Sequence, residues 1–167
     1  MRNNKRILAI DPGTHYIGVA VLVGPKLVYY GVKTLSRRKP TREALKEGRK
    51  VIGLLIDDFS PSILAVEKTF FAKSSNGTLL NTFAREIVWI GKRRGLSVEV
   101  MAANTVRKIV CKNGKATKQD VGKAVVSLYP ELSPYLSSDR RWKEKFYYNM
   151  FDAVALGLAS NDKHEMF

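Results

Sequence analysis

Three carboxylates in this chain stand where regular elements would deliver them to one place. Asp11 ends the apolar run of "RILAIDPGTHYIGVAVL" and is followed at once by the turn residues Pro12 and Gly13. Glu67 ends a second continuously apolar run, "SILAVE". Asp152 follows Asn149 by three positions, so the two share one face of any helix that carries them. A charge at the exit of a buried strand is costly unless it is hydrogen-bonded, ion-paired or bound to a cation. The plain alternatives are that Asp11 binds the N–H groups of its own turn, that Glu67 is a solvated strand end, and that Asp152 pairs with a nearby Lys. Three coincident acids on a basic chain favour a joint role. Oxygen-only ligands, with no Cys and few His, suit Mg²⁺ or Mn²⁺ rather than zinc. Two such ions about 3.5 to 4 Å apart would activate a water and stabilise the leaving oxygen of a phosphodiester.

The elements that must position these groups follow from periodicity. Ile7 to Ile10 are apolar without interruption, as in a strand covered on both faces. "IGVAVLV" and "LVYYGVKTL" flank Gly24-Pro25-Lys26 as a hairpin. Leu45, Ile52, Leu55, Ile56 and Phe59 predict a helix from Thr41 to Phe59. Leu79, Leu80, Phe83, Ile87 and Ile90 predict another from Gly77 to Arg94, with Trp89 on its opposite side. "LSVEVM" reads as a fifth strand, "NTVRKIVC" as a short helix, and "TKQDVGKAVVSLY" as a helix opened by Thr117. A last helix runs from about Ser138, or a few residues later, to Ser160. The sum is an α/β fold, a mixed five-stranded sheet with helices on both faces, built as one domain over 1–167. Low order is expected only at "MRNN" and in the tail after Ser160. If the strands bearing Asp11 and Glu67 are parallel neighbours, their carboxylates meet at one sheet edge, and the last helix adds Asp152 and Asn149.

Lys and Arg number 29 against 15 acids, a formal charge of +14, which points to a polyanionic partner. The cations cluster at "SRRKP", "KRR", Arg107-Lys108 with Lys112, Lys115 and Lys118, and "RRWKEK", with Phe70, Trp142, Tyr147 and Tyr148 close by. Cations for phosphates and rings for bases make a nucleic-acid surface. The single Cys111 excludes an intramolecular disulfide and a Cys-based metal site, the N-terminus lacks the apolar core of a signal peptide, and no run reaches membrane-spanning length. A reducing, cytoplasmic location without membrane association is the expectation, nucleoid-associated in a prokaryote.

Four segments in order resemble the RuvC family of Holliday-junction resolvases, within the ribonuclease H-like superfamily: "ILAIDPGTHYIGVAVL", "LAVEKTFFAKSSN", "VRKIVCKNGKATKQDV" and "NMFDAVALGLA". The resemblance implies a homodimeric, Mg²⁺-dependent endonuclease, with Mn²⁺ as a substitute and two ions per site, that nicks four-way junctions in branched DNA symmetrically. It leaves open a branch-migration helicase as a further partner. It implies Asp11, Glu67 and Asp152 as metal ligands and Lys118 as a contact to the scissile phosphate. Arg107 falls on another family lysine position, and Phe70 on an aromatic that stacks on bases. Lys73, Lys108, Lys112 and Lys115 complete the expected DNA contacts.

Two departures stand out. Asn149 replaces an acid or histidine; its amide oxygen can bind a metal but brings no charge. The segment from Glu131 to Tyr147 is longer than the family's, and Glu144 within it lies about 80° from Asp152 on an ideal helix, poorly placed to compensate. The rivals are a YqgF-like nuclease on structured RNA and a junction-binding protein whose site has decayed at Asn149. An actin-like ATPase needs two domains around its nucleotide and does not fit one domain of this size.

Overall fold

The computed structural model describes residues 5–36, 41–69, 75–136 and 141–165. Strands β1 (Arg6–Asp11), β2 (Tyr16–Val23) and β3 (Lys26–Thr34) pair antiparallel through short connections. Strands β4 (Ile63–Glu67) and β5 (Ser97–Met101) join in parallel, each after a helical crossover of the kind that parallel pairing requires: α1 (Thr41–Phe59) and α2 (Ser75–Arg93). The sheet order is β3-β2-β1-β4-β5. Helices α3 (Ala103–Cys111) and α4 (Lys118–Leu128), a 3₁₀ turn at Pro130–Leu132, α5 (Ser133–Leu136) and α6 (Arg141–Glu165) complete the chain.

Strand periodicity divides the core in two. Leu8, Ile10, Val19, Val21, Leu64 and Val66 face α1 and α2, against Ile52, Leu55, Ile56, Phe83 and Ile87. Ile7, Ala9, Ala20, Leu22, Ile63 and Ala65 face the other way, against Val106 of α3, Val121 and Val125 of α4 and the long helix α6. On that side α6 lies close: a Cβ on Gly157 would run into Leu22 and against Ala9.

The last helix departs from expectation. It continues past Ser160 to Glu165, where a loosely ordered tail was expected. The reason is a polar clasp with β5. Glu99 accepts a hydrogen bond from the buried Ser160 hydroxyl at 2.8 Å and holds His164 Nε2 at 2.6 Å. The low order expected at "MRNN", and the roles of Phe70 and Lys73, fall outside the described residues. No helix among the described residues is long and apolar enough to cross a membrane.

Candidate active site

Asp11 and Glu67 are delivered by register. Ile7 pairs with Ile63 and Ile10 with Val66 in parallel, which leaves Asp11 and Glu67 side by side at the next step. Each lies an even number of residues from alanines that face α6, Ala9 and Ala65, so both carboxylates project toward that helix. Both strands end there because Pro12 follows one and the backbone after Glu67 turns away, with the Lys68 N–H donating to Met101 O at 2.8 Å.

Helix α6 comes down onto this point. Gly18 of β2 is paired with Asp11, and a Cβ on it would collide with the backbone carbonyl of Asn149. No other residue leaves room for α6 to cross here. One turn on, Asp152 accepts a hydrogen bond from Lys118 Nζ at 2.8 Å. Lys118 is held in place by its neighbours. It is the first residue of α4, and Thr117 before it forms a capping box with Asp120: the Asp120 N–H donates to Thr117 Oγ1, and the Thr117 N–H donates to Asp120 Oδ2.

The electrostatics tie these groups together. Burial, then repulsion from Glu67 and Asp152, lifts the Asp11 carboxyl well above the usual carboxylate range, with Lys118 pulling it back. Glu67 is raised to about 7, first by burial and then by Asp152, while Lys118 and Arg107 oppose the rise. Burial alone would lower the Lys118 ammonium, but Asp152, Asp11 and Glu67 outweigh it and the net shift is upward. Asp11, Glu67, Asp152, Lys118 and Arg107 therefore sense one another, although they come from β1, β4, α6, α4 and α3.

Among the described residues no group of three or more His, Cys, Asp or Glu side chains is already arranged as a metal cage. The donor chemistry nevertheless fits a hard divalent cation. The acids offer only oxygen, and burial and mutual repulsion push Asp11 and Glu67 toward their protonated forms. Lys118 supplies part of the missing positive charge by pairing with Asp152.

The remaining expected residues separate into near and far. Arg107 is half-buried and near enough to Glu67 to lower its pKa, whereas Lys108, Lys112 and Lys115 are exposed around the turn between α3 and α4. Asn149 points its amide N–H groups backward, onto the carbonyls of Lys145 at 3.2 Å and Phe146 at 3.1 Å. The side chain of Glu144 lies outside the described residues. Reading the sequence passed over Gly18 and Asp120. The T-x-x-D spacing before an apolar run signals the second; nothing local signals the first.

The family model described as "Crossover junction endodeoxyribonuclease RuvC" matches residues 7–136. A relative of that name from Methylorubrum extorquens (strain PA1) is 33% identical over 136 residues, which is 78% of this chain and 72% of the relative. The solved structure "T. thermophilus RuvC in complex with Holliday junction substrate" superposes with a TM-score of 0.74 at 19% identity, covering 96% of both chains. The yeast mitochondrial Holliday junction resolvase Ydc2 superposes at 0.68 with 13% identity, covering 96% of this chain and 81% of that one. These likenesses show a ribonuclease H-like fold. The match over residues 7–136, together with one third identity to a named relative, establishes that the chain belongs to the RuvC family.

Proposed function

We propose that this chain is a metal-dependent DNA endonuclease that resolves four-way junctions by paired nicks, as a homodimer. The observation that carries the reading is the meeting of Asp11 and Glu67 on the α6 face of the sheet, with Asp152 and Lys118 facing them. Mg²⁺, held by Asp11, Glu67 and Asp152 and in pairs of ions, would supply an activated water and neutralise charge on the leaving oxygen. The side chains do the rest. Lys118, fixed at the first turn of α4, is placed to leave Asp152 for the scissile phosphate, where its charge counts most in the transition state. Arg107 favours the ionised form of Glu67. Lys108, Lys112 and Lys115 line the approach with exposed cations that would neutralise phosphates and make binding fall steeply with salt.

The dimer reading rests on α2. Trp89 is 54% exposed, with the Arg93 guanidinium 4.6 Å above its ring, beside a groove of about 590 Å³ whose apolar wall is Val66, Val88, Trp89 and Val100 and whose rim carries Glu67, Lys68, Arg85 and Lys92. Trp89→Glu should yield monomers by sedimentation at micromolar concentration; an unchanged dimer mass would place the contact elsewhere.

The test of the activity is a cleavage assay in Mg²⁺ with a synthetic four-way junction, a linear duplex and a structured RNA. Preferential, symmetric nicking of the junction supports the proposal, and preference for RNA overturns it. One observation favours a second reading, a junction binder with a weakened site: the Asn149 amide is turned back along α6. Binding without cleavage in either Mg²⁺ or Mn²⁺ would favour that reading. If Asn149 is a ligand, Asn149→Asp lowers the metal concentration needed for half-maximal cleavage and Asn149→Ala raises it.

A further inference from the structure

Helix α6 has two unlike halves. From Met150 to Ser160 it is core, with Phe151, Ala153, Val154, Ala155, Leu156 and Ala159 all buried. From Trp142 to Asn149 none of its described side chains is fully buried, and the helix runs on about 15 Å along its axis from Asp152 to Trp142. Two to three helical turns with so little fully buried surface would ordinarily fray. This one is braced by rings. Phe146 packs edge-on against Tyr16 at the start of β2, with centroids 5.2 Å apart. Tyr147 packs against Tyr135 of α5 at 4.9 Å, and Tyr135 against Tyr30 of β3 at 6.0 Å. Neighbouring residues on the helix are thus tied to opposite supports, one beside the Asp11 turn and one on the far strand.

The braced segment displays charge and an exposed ring. The sequence "RRWKEK" holds four cations against one acid. Trp142 is 61% exposed, with Lys143 Nζ 5.7 Å from its ring centre. Lys145 is exposed and lies seven residues before Asp152, so it sits within about 20° of the same helix face and about 10 Å along the axis. That span is about three nucleotide steps of one DNA strand. A rigid helix with a cation aligned to the catalytic acid, and an indole a quarter-turn away, suits a polyanion with stackable faces better than an apolar protein partner.

We infer that the overhanging first turns of α6 form a second DNA-binding surface, on which Lys145 neutralises a backbone phosphate of the strand flanking the nick and Trp142 stacks against that strand. This rests on the junction-nuclease reading and adds to it a contact about 10 to 15 Å from the chemistry, on a segment that the family match over residues 7–136 does not reach.

The test uses the full chain and a fluorescent four-way junction in metal-free buffer. Lys145→Ala should weaken binding several-fold near about 100 mM salt and reduce the log–log salt slope by about 1. Trp142→Ala should weaken binding several-fold with the slope retained, and Trp142→Phe should restore most of the affinity. With Trp89→Phe as background, Trp142 is the sole tryptophan, and its fluorescence should be quenched by the junction. Affinity and slope unchanged in both alanine variants, or no quenching, would overturn the inference. So would a DNA-free change of sedimentation mass in Trp142→Ala, which would assign the surface to a second copy. Wild-type protein that binds and cleaves junctions while the variants match it defeats this inference alone; wild-type protein that binds no junction defeats the underlying reading as well.

Discussion

The two faces of the sheet are built from the same strands and do different work. Toward α1 and α2 the strands present Leu8, Ile10, Val19, Val21, Leu64 and Val66, large side chains that fill the space to a pair of ordinary amphipathic helices. Toward α6 they present Ala9, Gly18, Ala20 and Ala65 among the larger residues, and α6 answers with Gly157. Small residues let a helix approach until its backbone touches the sheet, and that approach sets Asp152 over Asp11 and Glu67. One face holds stability in bulk; the other gives up bulk to bring buried charges together. The cost is visible in the raised carboxyls of Asp11 and Glu67, which no group on the α1/α2 face matches among the described residues.

Substitutions should separate the faces. The largest effect is expected at Asp11→Asn, which should reduce junction cleavage to background while binding persists or tightens, since on the proposed reading a metal ligand and a source of phosphate repulsion are both lost. Full cleavage by this variant would remove Asp11 from the chemistry. Gly18→Ala comes next. Its Cβ meets a backbone carbonyl that cannot rotate away, so α6 must shift, at a cost of about 1 to 3 kcal/mol and with slower cleavage as Asp152 moves. Wild-type melting and cleavage would show that the approach is looser than described.

A smaller effect should appear in the pH dependence of the metal-free protein. Glu67 holds its proton up to about 7 in the fold, against 4.5 when free. The folded state therefore binds protons more tightly than the unfolded chain. Its contribution favours folding below about pH 4.5, is lost as pH rises toward about 7, and is constant above. Glu67→Gln should flatten that part of the melting-temperature profile, whereas parallel profiles for variant and wild type would deny the buried carboxyl. The smallest effect belongs to the other face: Ile56→Val should cost about 1 kcal/mol in denaturant unfolding and leave cleavage unaltered below the transition. A cleavage defect there would blur the division between faces.

Much of this was legible in the sequence because strand ends are local events. Continuous apolar runs closing on Asp11 and on Glu67 marked both the strands and the carboxylates at their ends, and helical spacing gave α1 to its terminal residues. What escaped was non-local. A Lys partner for Asp152 was foreseen but not which one: Lys118 is 34 residues away, and the ion pair depends on how α4 packs against α6. The clasp of Glu99 on Ser160 and His164 spans more than sixty positions, so the end of α6 could not be read from its own residues. The 3₁₀ turn and α5 between Pro130 and Leu136 are too short to show a period. The direction of the Asn149 amide is a choice between ligand and backbone that spacing alone does not make.

The central claim is that side chains from separate elements act as one cation-binding centre in which Lys118 competes for Asp152. Lys118→Ala tests it with two readouts that should move in opposite directions. Titration of the DNA-free protein with Mn²⁺, followed by the loss of the free-ion electron paramagnetic resonance signal, should show tighter binding than wild type, because Asp152 is released from its ammonium partner. Single-turnover cleavage of the junction should slow by about 10²-fold, because a cation aimed at the transition state is gone. Mn²⁺ affinity unchanged or weakened, together with an undiminished cleavage rate, would contradict the account.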